Sequence, residues 1–498
     1  MARITLGRTL AVTTLAAAAL LAPGAVAHAD PAGLTRIFTD PFTNTTSQHA
    51  TTVEPDTFAA GSTLVTVTQS GRFFDGGASD IGYATSTNGG QSFTTGTLPG
   101  ITPYAPGGGG SFQRVSDPSV AFDARHGVWM VSSIPLRSDT SVPAVFVSRS
   151  TNGGLTFGTP VTVATAAAGH SFDKNWTACD NHPASPFYGR CYTTFDDSSD
   201  GDRLKVSTST NGGLTWGPAL NTGNSATGLG GQPVVRPNGM VVIPASNASE
   251  SAIISFRSLD GGATWRSTVR VTSTLAHREA GNLRSGPLPS AEVDAAGRVY
   301  VVWQDCRFRT NCSGNDILMS TTVDGVTWTS PVRVPIGTTA DGRDNFIPGI
   351  AVDERTSGST ARLGVTFYSY DVSACGSACA LKVRYVQSDT GGSTWSAPAT
   401  LAGPFAVTRI ANTSQGRMVG DYISTSWVDT PTGRRAFGAF AVGQAPTNGK
   451  AFDEATFVPT GGRNATGALT TTAGADRVSP TNEALLHANA RSEVFRRR

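Results

Sequence analysis

The sequence predicts an all-β fold built from repeated four-stranded units. The string STNGGLTWG at 209–217 has a near copy, STNGGLTFG, at 150–158. Related strings begin at 86, 258, 322 and 388, so six copies recur about every 60 residues. Three or four strand-like runs fit into each period, and the repeat contains no segment with a helical period of 3.6 residues. This combination is typical of the blades of a β-propeller.

Each copy of the repeated string predicts a tight turn between two strands. Asn or Asp followed by Gly-Gly suits a hairpin that needs positive φ, because the short polar side chain also bonds to nearby backbone. An alternating run such as Leu204–Ser209 precedes the turn, and a further strand-like run such as Arg298–Trp303 lies between turns. We expect the aromatic residue after the glycines to fold back over the turn and fix it to its blade.

These strings resemble Asp-box (BNR) repeats, whose pattern is Ser-x-Asp-x-Gly-x-Thr-Trp, over about residues 50–400. Asp boxes are shared by sialidases, several other glycosidases and propellers without known catalysis, so the resemblance implies a fold more directly than an activity. In that family the box lies between the third and fourth strands of a blade, at the edge away from the ligand. The resemblance therefore implies a sialidase-like propeller in which the repeated turns are structural.

The number of units follows from the length of the chain. Seven units of this period are favoured, and six, as in sialidases, also fit. The last unit carries no repeated string, and we expect a strand from Gly33 to Phe38 to complete it. We assign residues 30–460 to the propeller. Residues 461–498 are rich in Thr, Ala and Asn and end in three arginines, which predicts a disordered C-terminal tail.

The first 29 residues match a secretory signal peptide. Arg3 and Arg8 give a positive start, an apolar stretch follows from Leu10 to Ala22, and Ala27-His28-Ala29 is a small-x-small cleavage site. The apolar stretch is too short to span a membrane. We therefore expect a secreted, extracellular protein.

Export determines how the six cysteines are interpreted. They form three close pairs, which in an oxidising compartment predict three disulfide bonds rather than a metal site. The net charge of +2 implies no broad attraction to nucleic acid or to membranes. We expect a monomer whose partner is an extracellular glycan or glycoprotein. The predicted disulfides are Cys179–Cys191, Cys306–Cys312 and Cys375–Cys379.

Polar residues concentrate in the loops of the face opposite the repeated turns, which we call the loop face. They include Gln113–Pro118, Phe172–Trp176 and Arg417–Tyr422, which lead into first strands of units. Two of the cysteine pairs would stiffen loops of the same face. The acidic run Asp196–Asp202 offers oxygen ligands for a structural calcium ion, although a solvated turn fits its spacing better. No other cofactor is predicted.

Sialidase chemistry, which the resemblance implies as one activity, needs three arginines that hold a carboxylate, an acid/base Asp, and a Tyr nucleophile assisted by Glu. Position in the loops and residue type select Arg284, Arg307 and Arg343 for the carboxylate, Asp117 as acid/base, Tyr370 (with Tyr368 as its alternative) as nucleophile, and Glu292 as its assistant.

The same family pattern also contains a Phe-Arg-Ile-Pro motif, which is missing here. The first unit begins with Gln48–Glu54 and contains no Arg there. Two functions therefore compete: an exo-sialidase-type glycoside hydrolase directed at extracellular glycans, and a non-catalytic propeller that binds a glycan or a protein through the loop face. Three arginines converging beside a Tyr–Glu pair would favour hydrolysis, and dispersed arginines would favour binding.

Overall fold

The structure is a computed structural model that describes residues 30–105, 107–447, 449–464, 471–472 and 476–495. The predicted signal peptide, residues 1–29, lies outside the described residues. Antiparallel β-sheets make up most of the described chain, as the sequence predicts. Among the described residues, no helix is long and apolar enough to cross a membrane.

The strands follow one another along the chain in antiparallel units. The first strand stands apart from the units that follow it, and the next eight strands form two units within one sheet. Their bounds are β1 (Leu34–Phe38), β2 (Gln48–Ala60), β3 (Thr63–Arg72), β4 (Ala78–Ser86), β5 (Thr94–Thr97), β6 (Arg114–Asp123), β7 (Val128–Leu136), β8 (Ala144–Ser150) and β9 (Val161–Thr165).

Three further sheets follow in the middle of the chain. The second of them has five strands because its innermost position is shared by two short segments. Their bounds are β10 (Phe172–Cys179), β11 (Cys191–Asp197), β12 (Arg203–Ser209), β13 (Leu220–Asn221), β14 (Gly228–Leu229), β15 (Val234–Val235), β16 (Val241–Asn247), β17 (Ala252–Ser258), β18 (Val269–Ser273), β19 (Ser290–Val293), β20 (Val299–Asp305), β21 (Asp316–Thr322) and β22 (Val332–Arg333).

The C-terminal third contains two larger sheets, two small two-stranded sheets and an α-helix. The elements are β23 (Asp344–Val352), β24 (Leu363–Tyr370), β25 (Ala380–Ser388), β26 (Thr394–Trp395), β27 (Ala399–Ala406), β28 (Ala411–Thr413), β29 (Gly416–Met418), β30 (Ser424–Thr430), β31 (Gly433–Gly443), β32 (Glu454–Pro459), β33 (Thr471–Thr472) and α1 (Pro480–Phe495). Short 3₁₀ turns occur at Ser198–Asp200, Thr310–Cys312, Gly358–Thr360, Gly376–Ala378 and Val407–Arg409.

The first strands of successive units lie beside one another. Contacts run from β2 to β6, β10, β15, β19, β23 and β30 in turn, and β30 contacts β2. The last sheet has the order β1-β32-β31-β30, so its outer strand comes from the N-terminal end of the described chain. The prediction that Gly33–Phe38 completes the last unit is confirmed.

Apolar layers fill the spaces between neighbouring units. One layer joins Val67 of β3 to Val131 of β7, and another joins Val302 of β20 to Val365 of β24. Such layers hold sheets together because each removes apolar surface from water on two faces. The three predicted disulfides are present, and Cys179–Cys191 joins β10 to β11.

The repeated strings form turns between the third and fourth strands of their units. After β4, the N–H of Gly90 donates to Ser86 Oγ (2.9 Å) and the N–H of Ser92 donates to Asn88 Oδ1 (3.0 Å). The same two bonds recur after β8, β12 and β17. The aromatic residue packs beyond its own unit, since Phe157 lies 4.9 Å from the ring of Tyr83 in the preceding unit. Each such turn therefore also joins neighbouring units.

The C-terminal segment differs from the predicted disordered tail. Strand β33 pairs with β26, and Asp476 Oδ2 lies 2.8 Å from Arg333 Nε. The buried side chain of Asn482 lies 3.3, 3.2 and 2.8 Å from the carbonyl oxygens of Cys306, Arg307 and Arg309. Composition predicted disorder because the segment is polar; its described part is held by these polar anchors and by Val478, which packs against an apolar layer.

We expect Asn482→Ala to release helix α1 from the Cys306–Cys312 loop. The change removes the side-chain donor from three carbonyl groups that each keep one backbone N–H donor, so we expect a cost of about 0.5–1.5 kcal/mol for each hydrogen bond lost. Limited trypsin digestion should then cleave after Arg477 faster than in the wild type. Glu483→Ala, at the exposed neighbouring position, is the matched control and should leave the rate unchanged. Equal cleavage rates in the two variants would contradict the anchoring role.

Candidate functional site

Bulges in three first strands bring charged side chains together. The strand register shifts after Val53 in β2, after Ser116 in β6 and after Asp173 in β10. The residues Glu54, Asp117 and Lys174 follow these positions, with φ of 53°, 51° and 50°. A left-handed backbone is uncommon for residues other than glycine, and such bulges redirect side chains out of the usual alternation. The three charges consequently meet between the units.

Arg284 and Asp421 lie beside these three residues. We call the five residues together the axial cluster: Glu54, Asp117, Lys174, Arg284 and Asp421. Arg284 Nε donates to Asp421 Oδ1 (2.7 Å), and a second N–H of Arg284 donates to Oδ2. The ammonium group of Lys174 also donates to Asp421 Oδ2, and lies 3.6 Å from Asp117 Oδ2. Four units or loops therefore meet at one set of ion pairs.

The two cations determine the charge state of Asp421. Burial alone would raise the pKa of its carboxyl group, but Arg284 and Lys174 hold that pKa well below its usual range. Burial lowers the pKa of Lys174, and its acidic neighbours more than reverse this effect. Asp421, Arg284 and Lys174 are therefore all charged near neutral pH.

Glu54 and Asp117 are linked through two neutral side chains. Ser116 Oγ donates to Asp117 Oδ1 (2.6 Å), and Gln69 Nε2 donates to Ser116 Oγ (3.0 Å) and to Glu54. Burial, followed by the charges of Asp117 and Asp421, raises the pKa of Glu54 to about 8. Glu54 thus keeps its proton at neutral pH.

Two atoms of the axial cluster have unused bonding capacity. Asp117 Oδ2 is buried without a hydrogen-bond donor among the described residues, its nearest cation being Lys174. Arg284 donates to Asp421 through Nε and one terminal nitrogen, and no described residue accepts from its other terminal nitrogen. The side chain of Arg284 is 20% exposed, the largest exposure in the four ion-paired members. Arg284 is therefore the most solvent-exposed of these four side chains.

The structure brings together two of the six predicted site residues, Asp117 and Arg284. Arg307 is bound instead to Asp305, with Nε–Oδ1 and Nη2–Oδ2 distances of 2.9 and 2.6 Å. Arg343 is partly exposed, and its nearest acid is Asp341 at 3.6 Å. The three predicted arginines do not converge, because Arg307 is held by a partner two residues away on its own loop.

The predicted Tyr370–Glu292 pair is not formed. The Tyr370 hydroxyl donates to the carbonyl oxygen of Ala280 (3.3 Å), and Tyr368, two residues earlier, donates to that of Ala441 (2.8 Å). Residues two apart on a strand share a face, and here that face of β24 is buried between sheets. Burial raises the pKa of both phenols. Glu292 lies elsewhere, on the wall of a central cavity.

Sequence reasoning missed Glu54, Lys174 and Asp421 as site residues, although all three lie in segments that it singled out. One local signal was the Gly420-Asp421 pair. Gly420 has φ of +142°, and a Cβ there would lie 2.8 Å from the backbone of Glu54. Only glycine permits this approach, which places Asp421 beside the bulge of β2.

The acidic run proposed for calcium does not assemble in the structure. Asp196 is buried, Asp200 pairs with Arg203, and Asp202 lies apart with positive φ. Within the part of the chain that the structure describes, no three His, Cys, Asp or Glu side chains are grouped to hold a metal ion. The calcium ion remains a prediction from sequence.

Comparisons with known proteins give structural neighbours only. No family model matches, and no curated protein matches. Similar solved structures include the Hadza microbial sialidase Hz136 (16% identity, TM-score 0.43, covering 64% of this chain and 65% of that one). The leech intramolecular trans-sialidase has 12% identity and a TM-score of 0.46, and the match covers 67% of each chain. A PL25 ulvan lyase has 10% identity and a TM-score of 0.47, and the match covers 85% of this chain and 95% of that one. This chain thus spans about two thirds of the sialidases' length, and such low similarity carries no activity over to it.

Proposed function

We propose that the chain is a secreted, closed seven-bladed Asp-box propeller that acts on extracellular glycans at the axial cluster. The contacts that return from β30 to β2 support closure, and the three disulfides fit an extracellular protein. The protein acts as a monomer, and its loop face carries the ligand.

The observation that carries this proposal is the presence of Asp117 and Arg284 together in the axial cluster. Asp117 has a carboxylate oxygen without a hydrogen-bond donor, and Arg284 has N–H groups without an acceptor. Arginine binds planar anions with two parallel hydrogen bonds, so these groups suit a sugar carboxylate. Asp117 then serves as acid/base toward the neighbouring glycosidic bond.

Glu54 supports the same chemistry without contacting the substrate. Glycoside hydrolysis commonly uses two carboxyl groups with different roles, and here the surroundings of Glu54 keep it protonated. Glu54 is fully buried, so it acts through the Gln69–Ser116 hydrogen bonds and not on the substrate itself. Its proton keeps one further negative charge out of the axial cluster.

The first test measures hydrolysis by the mature protein of three kinds of substrate: a fluorogenic sialoside, uronides and neutral glycosides. Asp117→Asn is expected to lower kcat by about 10²–10⁴-fold, the range for loss of a general acid or base. Arg284→Lys should raise KM for anionic substrates because it loses the bidentate fork. Arg343→Gln, outside the axial cluster, is the control and should behave as wild type. Full activity of Asp117→Asn would exclude the assigned role.

A second function, glycan or protein binding without catalysis, is supported by the dispersed arginines and by the missing Tyr–Glu pair. The same panel separates the two. No turnover of any glycoside, combined with glycan-array binding that Arg284→Lys weakens, would favour the binding protein. Turnover that depends on Asp117 would favour the hydrolase.

A further inference from the structure

A second site lies along the same axis, on the far side of two aromatic rings. Trp176 and Tyr422 pack edge to face with centroids 5.0 Å apart, and the Tyr422 hydroxyl donates to the Pro118 carbonyl (2.9 Å). Trp176 lines a cavity of about 380 Å³, which we call the axial cavity. None of the five members of the axial cluster lines this cavity.

The axial cavity opens toward the face of the repeated turns. Its wall is formed by segments of first strands from all the units described above. The rim includes Ala124 and Glu354, both exposed and both at or beyond the ends of those strands. The opening is therefore opposite the loop face, and a ligand of the axial cluster would not enter by it.

The charges on this wall are all acidic. Asp56, Glu292 and Glu354 line the cavity, and no Lys or Arg does among the described residues. Glu354 at the rim is paired with Arg434. Glu292 forms no ion pair with a described residue; its carboxyl group is hydrogen-bonded to the backbone of Val293, and the charged groups that act on it are Asp56 and Glu354. Two inner carboxyl groups are thus left without a cation.

The rest of the wall combines aromatic and aliphatic side chains with neutral polar ones, among them Gln232, Ser290 and Thr425. Phe58, Phe122, Trp176 and Trp427 line the cavity together with Val234 and other aliphatic residues. Aromatic faces beside carboxylates attract ammonium groups through the ring quadrupole and through charge. A bare metal ion would need a tighter set of oxygen ligands, and no such group occurs in the described chain. The volume falls within the range of small-molecule pockets.

We propose that the axial cavity binds a small organic cation with an ammonium group, held between Glu292 and Asp56 and against the aromatic wall. His182, the remaining titratable group on the wall, is turned to the Val235 carbonyl (3.0 Å) and so does not oppose the cation. Asp56 keeps its orientation because Oδ2 accepts the N–H of Val120 (2.7 Å). This site is independent of glycan activity at the loop face.

The empty cavity favours protonated carboxyl groups. Burial raises the pKa of Glu292 to about 8 and that of Asp56 to about 7, and Asp56 adds to the effect on Glu292. A cation must displace these protons, so its affinity should rise with pH. Between pH 6 and pH 9 we expect an increase of about 10–100-fold.

The test uses choline as the probe and calorimetric titration of the mature protein at pH 6 and pH 9. Its uncharged carbon isostere, 3,3-dimethylbutan-1-ol, controls for shape. Glu292→Gln should weaken choline binding at pH 9 by at least about 10-fold and flatten the pH dependence. Asp56→Asn is a second variant with the same expected direction. Glu250→Gln removes an exposed carboxyl group outside the cavity wall, whose pKa is affected by Asp421, and should change nothing at the cavity.

Each outcome decides the proposal without reference to hydrolysis. Binding of choline but not of its isostere, lost in Glu292→Gln and kept in Glu250→Gln, supports it. No choline binding at millimolar concentration, equal binding of the isostere, or unchanged binding by Glu292→Gln overturns it. Because Gln resembles the protonated acid already present, Glu292→Gln is expected to fold, and its circular dichroism spectrum checks this.

Discussion

Removal of β1 is expected to abolish cooperative folding near room temperature. Leu34, Ile37 and Phe38 are buried against the last sheet and the first unit. The ring of Phe38 packs so closely that a Cβ on Gly82 would lie 2.2 Å from it. Burial of each such side chain contributes about 1.5–3 kcal/mol, and the sum approaches the 5–15 kcal/mol that usually separates folded from unfolded chains.

The experiment compares the mature chain with one that begins at Asp40. The shortened chain should lose its sharp thermal transition, because β32 is left as an exposed edge and the last unit is incomplete. A synthetic peptide of residues 30–40, added in excess, should restore part of the transition. Asp30→Asn, which removes only a partly exposed ion pair with Arg36, should cost no more than about 1 kcal/mol. An unchanged Tm for the shortened chain would contradict closure by this strand.

What the sequence predicts correctly depends on short-range chemistry. Ser86 and Asn88 bond to backbone within six residues of themselves, so the turn is encoded in a local string that recurs. The strand that completes the last sheet was predictable from counting units, since the last unit carried no repeated string. The Cys179–Cys191 bridge follows likewise from pairs that are close along the chain.

The site was predictable only in part because its geometry depends on bulges. Asp117 and Arg284 were selected from loop position, and both lie in the axial cluster. Lys174 meets Asp421, 247 residues away, only because the backbone at Lys174 adopts positive φ. The alternation of polar and apolar residues along a regular strand does not reveal the bulge that gives Lys174 this backbone conformation. The choice of Tyr370 failed for the opposite reason, since its strand is regular and its side chain simply faces the core.

Asp421→Asn is expected to destabilise the protein by about 3–5 kcal/mol at pH 7, the range for breaking a buried ion pair from one side. Two cations, Arg284 and Lys174, share this carboxylate, and neither is more than 20% exposed. The amide removes the negative charge and leaves both cations buried. Asp429→Asn is the matched control: its carboxylate also contacts two arginines but is 34% exposed, so its loss should cost about 1 kcal/mol or less.

The pH dependence distinguishes the ion pair from a packing effect. Because the folded-state pKa of Asp421 is depressed, its contribution is present above the ordinary value of 3.8 and is lost as pH falls below it. Glu54 acts in the opposite direction: its pKa of about 8 makes the folded state less stable as pH rises from 4.5 to about 8. Urea unfolding at pH 3, 5, 7 and 9 should therefore show the gap between wild type and Asp421→Asn narrower at pH 3 than at pH 5, and narrower again at pH 9, where wild type alone loses stability from the charge of Asp421 beside ionising Glu54. A gap that is equal at all four pH values would mean that Asp421 stabilises by shape, and the axial cluster would then not be an ion-pair network.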